Sequence, residues 1–76
     1  MKNTIEKGTH IKVKHIQSGA SLEYRVVMEV DGETNYFRLI NIRSLQIMSN
    51  FKTLNPNEAL NYIKSMLKCK IIEVSN

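Results

Sequence analysis

With one cysteine, one proline, three glycines and no tryptophan among 76 residues, the chain excludes several classes of protein at once. The lone Cys69 cannot form an intramolecular disulfide. No apolar run approaches the ~20 residues needed to cross a bilayer, so no membrane partner is expected. The opening Met1-Lys2-Asn3-Thr4 lacks the apolar stretch of a secretory signal, and a reducing cytoplasm is the expected compartment. Three scattered glycines supply neither a G-x-G-x-x-G nor a G-x-x-x-x-G-K phosphate loop, so no nucleotide or other cofactor is expected. A G-x-S-x-G nucleophile elbow is missing too.

What is present is the composition of a folded chain, 42% hydrophobic and 24% charged, with a net charge of +4. At this length one domain spanning 1–76 is expected, its core thin, because folding buries only ~60 to 65% of the surface of so short a chain. The abundance of Lys, Ile and Asn, which have A/T-rich codons, suggests a low-G+C bacterium or a phage or mobile element within one.

Residues 1–8 read as a lead-in ending at Gly8, and 9–51 as an antiparallel sheet. A first strand is expected from Thr9 to Gln17, with Ile11 and Val13 on one face and His10, Lys12 and Lys14 on the other. After a turn over 18–21, Leu22 to Val30 alternates again, with Leu22, Tyr24, Val26, Met28 and Val30 sharing a face. Asp31-Gly32 is a strong hairpin signal, because a type I′ turn needs positive φ at both central residues. That turn would pair Val30 with Glu33, Met28 with Asn35, Val26 with Phe37 and Tyr24 with Leu39. Tyr24, Val26, Met28, Phe37 and Leu39 are then the expected core face. The third strand continues through Ile42, and a turn at Arg43-Ser44 leads to a fourth strand near Leu45 to Met48. Helix is the weaker alternative here, given the β-branched residues.

Asn55-Pro56-Asn57-Glu58 combines a capping residue, a proline at the first helical position and an early acid, predicting a helix over 56–68. Ala59, Leu60, Ile63, Met66 and Leu67 fall on one arc of it, with Tyr62 at the edge. A short last strand can follow over 70–74. The expected fold class is therefore α+β: an antiparallel meander of about four strands, with an SH3-like curl as one closure, then one C-terminal amphipathic helix.

Catalytic chemistry finds little support. His10 and His15 project from opposite faces of one strand and cannot share a metal ion. Cys69 follows an apolar helix face, where a lone cysteine acts as a small hydrophobe. Glu29, Asp31 and Glu33 cluster at an exposed hairpin tip with no apolar wall to raise a carboxyl pKa. A small enzyme is the third-ranked reading.

The sheet's second face is more informative, since Val27, Tyr36, Ile40 and Ile42 lie opposite the expected core, and the Arg43-Ser44 turn would add Leu45, Ile47 and Phe51. One helix covers one side only. Either the sheet curls or carries a bulge after Asn41 that brings both apolar sets inside, or the second face meets another protein or a second copy of the chain. In the latter case Tyr36, Arg38, Ile40, Ile42 and Ile47 are the interface candidates, and the chain would be a non-catalytic regulator or inhibitor. The alternative uses Lys12, Lys14, Arg25 and Arg38 around Tyr36 as a basic surface for DNA or RNA.

Overall fold

A computed structural model describes residues 5–76, so the first four residues of the expected lead-in lie outside the described residues. The elements are β1 (His10–His15), β2 (Ser21–Asp31), β3 (Thr34–Asn41), β4 (Gln46–Ile47), α1 (Glu58–Ser65) and β5 (Cys69–Ser75). They form one antiparallel sheet in the order β4-β3-β2-β1-β5, with the helix on one face. The α+β class therefore stands. No pairing joins the edge strands β4 and β5, so strand pairing does not make an SH3-like closure.

The β2–β3 hairpin departs from the expected register in an instructive way. Its two-residue loop is Gly32-Glu33, with Asp31 paired to Thr34, so that Met28 faces Phe37, Val26 faces Leu39 and Tyr24 faces Asn41. Gly32 has φ +65 and Glu33 is not left-handed. That is the type II′ requirement for glycine at the first central position, whereas a turn centred on Asp31-Gly32 would have put Asp31 at a costlier positive φ. The register moves by two residues, which preserves side-chain parity, so every residue keeps its face.

Tyr24, Val26 and Leu39 are buried as expected, joined by Ile11 and Val13. Met28 is not part of the core: it is 38% exposed, and Phe37 is only partly buried. The cause is length. The eight residues of α1 span about 12 Å, while the eleven of β2 span about 36 Å, so the hairpin tip runs out beyond its cover.

The helix is shorter than the expected 56–68. Its lead-in is a tight turn in which Glu58 N–H donates to the Asn55 carbonyl and Ala59 N–H to that of Pro56. Asn55 is therefore not the cap: Asn57 holds that position without a side-chain cap bond, and Asn55 Oδ1 accepts the Asn57 amide at 3.0 Å within the preceding turn. Ala59 and Ile63 are fully buried on the sheet, whereas Met66, assigned to the apolar arc, is 69% exposed because the helix stops at Ser65. The chain then reverses at Lys68 (φ +55) and returns as β5 against β1, longer at both ends than the expected 70–74.

The lead-in and the fourth-strand region are also more integrated than their sequence implies. Gly8, at φ +94, closes a turn in which Thr9 N–H donates to the Glu6 carbonyl; the turn folds Ile5 back into the core, where it is 3% exposed. The buried Thr9 hydroxyl donates to Asn76 Oδ1 at 2.7 Å, tying this segment to the end of β5. Phe51 was expected on the second face but is buried on the helix side, its ring 4.9 Å from that of Tyr62. The ladder explains this: Met48 N–H donates to the Leu39 carbonyl, which carries Met48 to the face opposite Ile47, and the turn closed by Phe51 N–H on the Met48 carbonyl follows on that side.

Candidate functional site

Alternation on β1, β2 and β3 leaves one sheet face without a helix. It carries Lys12 and Lys14 from β1, Glu23, Arg25, Val27 and Glu29 from β2, and Tyr36, Arg38 and Ile40 from β3. The register sets them in rows: Arg25 stands between His10 and Ile40, Val27 beside Arg38, and Glu29 beside Tyr36. The charges are mostly answered within the face. His10 Nε2 donates to Glu23 Oε1 at 2.8 Å, and the Lys12 ammonium lies 3.6 Å from Glu73.

Arg38 is the most committed of these cations. Its Nε donates to the Phe51 carbonyl at 2.6 Å, one terminal nitrogen to the Met48 carbonyl at 3.2 Å and the other to Glu29. Its side chain is only 13% exposed. A planar fork with donors on three sides suits this clamp, which pins the 48–51 segment around the edge of the sheet. Tyr36 is likewise occupied, since the Lys52 ammonium sits 4.5 Å from its ring centroid and 3.3 Å from Asp31. Of the interface candidates, Tyr36 and Arg38 are thus engaged internally, while Ile40, Ile42 and Ile47 remain together.

These three meet at the β3–β4 corner. Ile40 pairs directly with Ile47, which is 50% exposed. Ile42 N–H donates to the Glu23 carbonyl, extending the β2–β3 ladder by one residue. The reversal itself holds Leu45, 73% exposed and at φ +60, its amide on the Asn41 carbonyl at 2.7 Å. Asn41 Oδ1 accepts the Arg43 and Ser44 amides and fixes the turn. Leu45 is the residue that sequence pattern undervalued. Its left-handed conformation is set by the turn, and nothing about a leucine announces it.

From the basic set, Lys14 and Arg25 remain exposed and without a carboxylate partner among the described residues. Lys12 and Arg38 are paired and Tyr36 is covered. The structure adds Lys70, which stands directly opposite Lys14 across the β1–β5 pairing. Sequence could not find it, because β5 pairs with a strand more than fifty residues away.

Among the described residues no group of three His, Cys, Asp or Glu side chains could hold a metal, and no helix is long and apolar enough to cross a membrane. Cys69 is 1% exposed, its thiol directed at the Leu67 carbonyl, and burial pushes its pKa up, away from the reactive thiolate. A shallow cleft between the 50–53 segment and α1 contains Glu58, but its carboxylate accepts the Thr53 hydroxyl at 2.7 Å. Comparison with known proteins returns no match to a protein-family model, a curated protein or a solved structure.

Proposed function

We propose that this chain is a small non-catalytic binding protein that docks on a protein partner, a second copy of itself or a larger host protein, through the β3–β4 corner of its uncovered sheet face. A phage or mobile-element regulator or inhibitor is the role that suits such a chain. The observation that carries the reading is Leu45. A leucine in the left-handed region costs about 1 to 2 kcal/mol relative to the right-handed form, and this one also leaves its side chain in water. A side chain unfavourable both to its backbone and to solvation adds nothing to the isolated fold, and Ile47, itself half exposed, follows two residues later. Arg38 supports the reading from behind, by holding rigid the segment that leaves the corner.

Light scattering over a range of concentrations, together with recovery of bound host proteins on the immobilised chain, tests the proposal. Leu45→Gly with Ile47→Asp is expected to leave folding intact, since both side chains are half or more exposed, and to abolish association. A chain monomeric at every concentration that also recovers the same proteins with and without the substitutions would overturn it. The alternative, a nucleic-acid surface around Tyr36, is less favoured because Lys12 and Arg38 are already neutralised and Lys52 covers the ring that would stack.

A further inference from the structure

At the opposite end of the uncovered face the electrostatics change character. Lys14 and Lys70 are direct cross-strand partners, and among the described residues neither has a carboxylate within ion-pair distance. Like charges placed directly opposite on adjacent strands repel. Lys12, Arg38, Arg43 and Lys52 each have an acidic partner, whereas Lys14 and Lys70 face each other without one. The groove beside it is lined by Lys14, His15, Ile16, Gly19 and Lys70 and contains no carboxylate. His15 adds a donor: its Nδ1 accepts the Ser18 amide at 3.1 Å, which leaves the neutral ring's proton on Nε2. Every polar side chain of the groove can therefore donate. Along the same face Arg25 is exposed and without a carboxylate partner among the described residues, four residues down β2 from Ser21, the partner of Lys14, or about 13 Å away. Lys70, Lys14 and Arg25 thus make a bent track of three cations on this face, with Glu23, already held by His10 and Arg43, between Lys14 and Arg25.

We propose that this track binds the phosphodiester backbone of a single nucleic-acid strand, with Lys14 and Lys70 straddling one phosphate and Arg25 holding a later one. Separated cations suit a flexible chain of phosphates, which can bend to follow them. Contacts to phosphate carry no base information, so the binding is independent of sequence. The track and the β3–β4 corner share no residue but adjoin where Arg25 pairs with Ile40, so the Lys14 and Lys70 variants, away from the corner, separate the failure of one from that of the other.

The experiment is fluorescence anisotropy of a labelled single-stranded oligonucleotide with the full chain, titrated at increasing salt. Two neutralised phosphates predict a slope of log affinity against log salt of about −1.4. Lys14→Ala with Lys70→Ala is expected to reduce the slope by about 0.7. Lys14→Glu with Lys70→Glu should weaken binding by roughly tenfold or more, whereas Lys52→Glu, at the far end of the sheet, should leave it unchanged. Circular dichroism of each variant confirms the fold, and the alanine pair serves if the glutamate pair does not fold. No binding by the unmodified chain at low salt overturns the proposal. So does unchanged binding by a folded double variant, or capture of phosphatidylserine vesicles in place of the oligonucleotide.

Discussion

The two faces of the sheet are built from the same strands, yet they solve opposite problems. On the covered face, Ile11, Val13, Val26 and Leu39 are all but sealed from water against Ala59 and Ile63, and the chemistry is packing alone. On the uncovered face apolar and charged residues alternate in rows, and most of the charges find partners there. The difference shows that an apolar residue's neighbour in sequence says little about its worth: Leu39 and Ile40 are adjacent, but only Leu39 lies under the helix.

The largest test of that contrast is the adjacent pair itself. Leu39→Ala should destabilise the chain by about 2 to 5 kcal/mol, since it leaves a cavity in a closed core. Ile40→Ala should cost about 1 kcal/mol or less, because water replaces the lost methyl groups. Urea denaturation of the two variants measures both, and equal losses would mean that the uncovered face is as closed as the other.

The next effect concerns the link between the faces. Arg38→Ala removes the charge-assisted bonds to the Met48 and Phe51 carbonyls and to Glu29, at a cost of about 1.5 to 3 kcal/mol. Hydrogen exchange at Thr53, whose amide donates to the Phe37 carbonyl, should accelerate more than exchange in β1. Uniform acceleration would show that the clamp stabilises the whole sheet rather than this segment.

Titration separates the faces by chemistry. Burial raises the pKa of both Tyr24 and Cys69 on the covered face, the nearby Cys69 and Tyr62 adding to the shift of Tyr24. Both are acids whose neutral form the folded state favours. Their contribution is therefore fully present below the pKa of the unfolded thiol, about 8.5, and is lost as pH rises through the folded values. Denaturation midpoints should hold up to about that pH and then fall, with a smaller fall in Cys69→Ala. A midpoint that rises above it would contradict the burial of both groups.

The smallest expected change is a gain. Lys14→Glu replaces a cross-strand repulsion with an attraction to Lys70 and should raise stability by about 0.2 to 1 kcal/mol. Thermal melts at low salt measure it, and added salt should shrink the difference. A loss would show that the Lys14–Lys70 pair is not repulsive.

The face of each residue in β1, β2 and β3 was legible from alternation, and it survived an error in the hairpin register because the slip was even. The apolar corner was legible as a set, from Ile40, Ile42 and Ile47, but its most telling member was not. Leu45 matters through a backbone angle that only the closed turn imposes. Arg38 looked from sequence like a surface anchor, because the carbonyls it binds belong to a segment whose path the pattern did not define.

By itself the sequence determined the period-two strands, the helix that follows Asn55-Pro56, and the faces on which their side chains lie. Those properties are local, set by geometry that repeats every two or every three to four residues. The tertiary structure alone decided that β5 returns beside β1 and sets Lys70 against Lys14, that Phe51 turns into the core, and that the helix ends before it can cover Met28. Each depends on contacts between distant segments, whose closure cost and packing are not written in any short window of the chain.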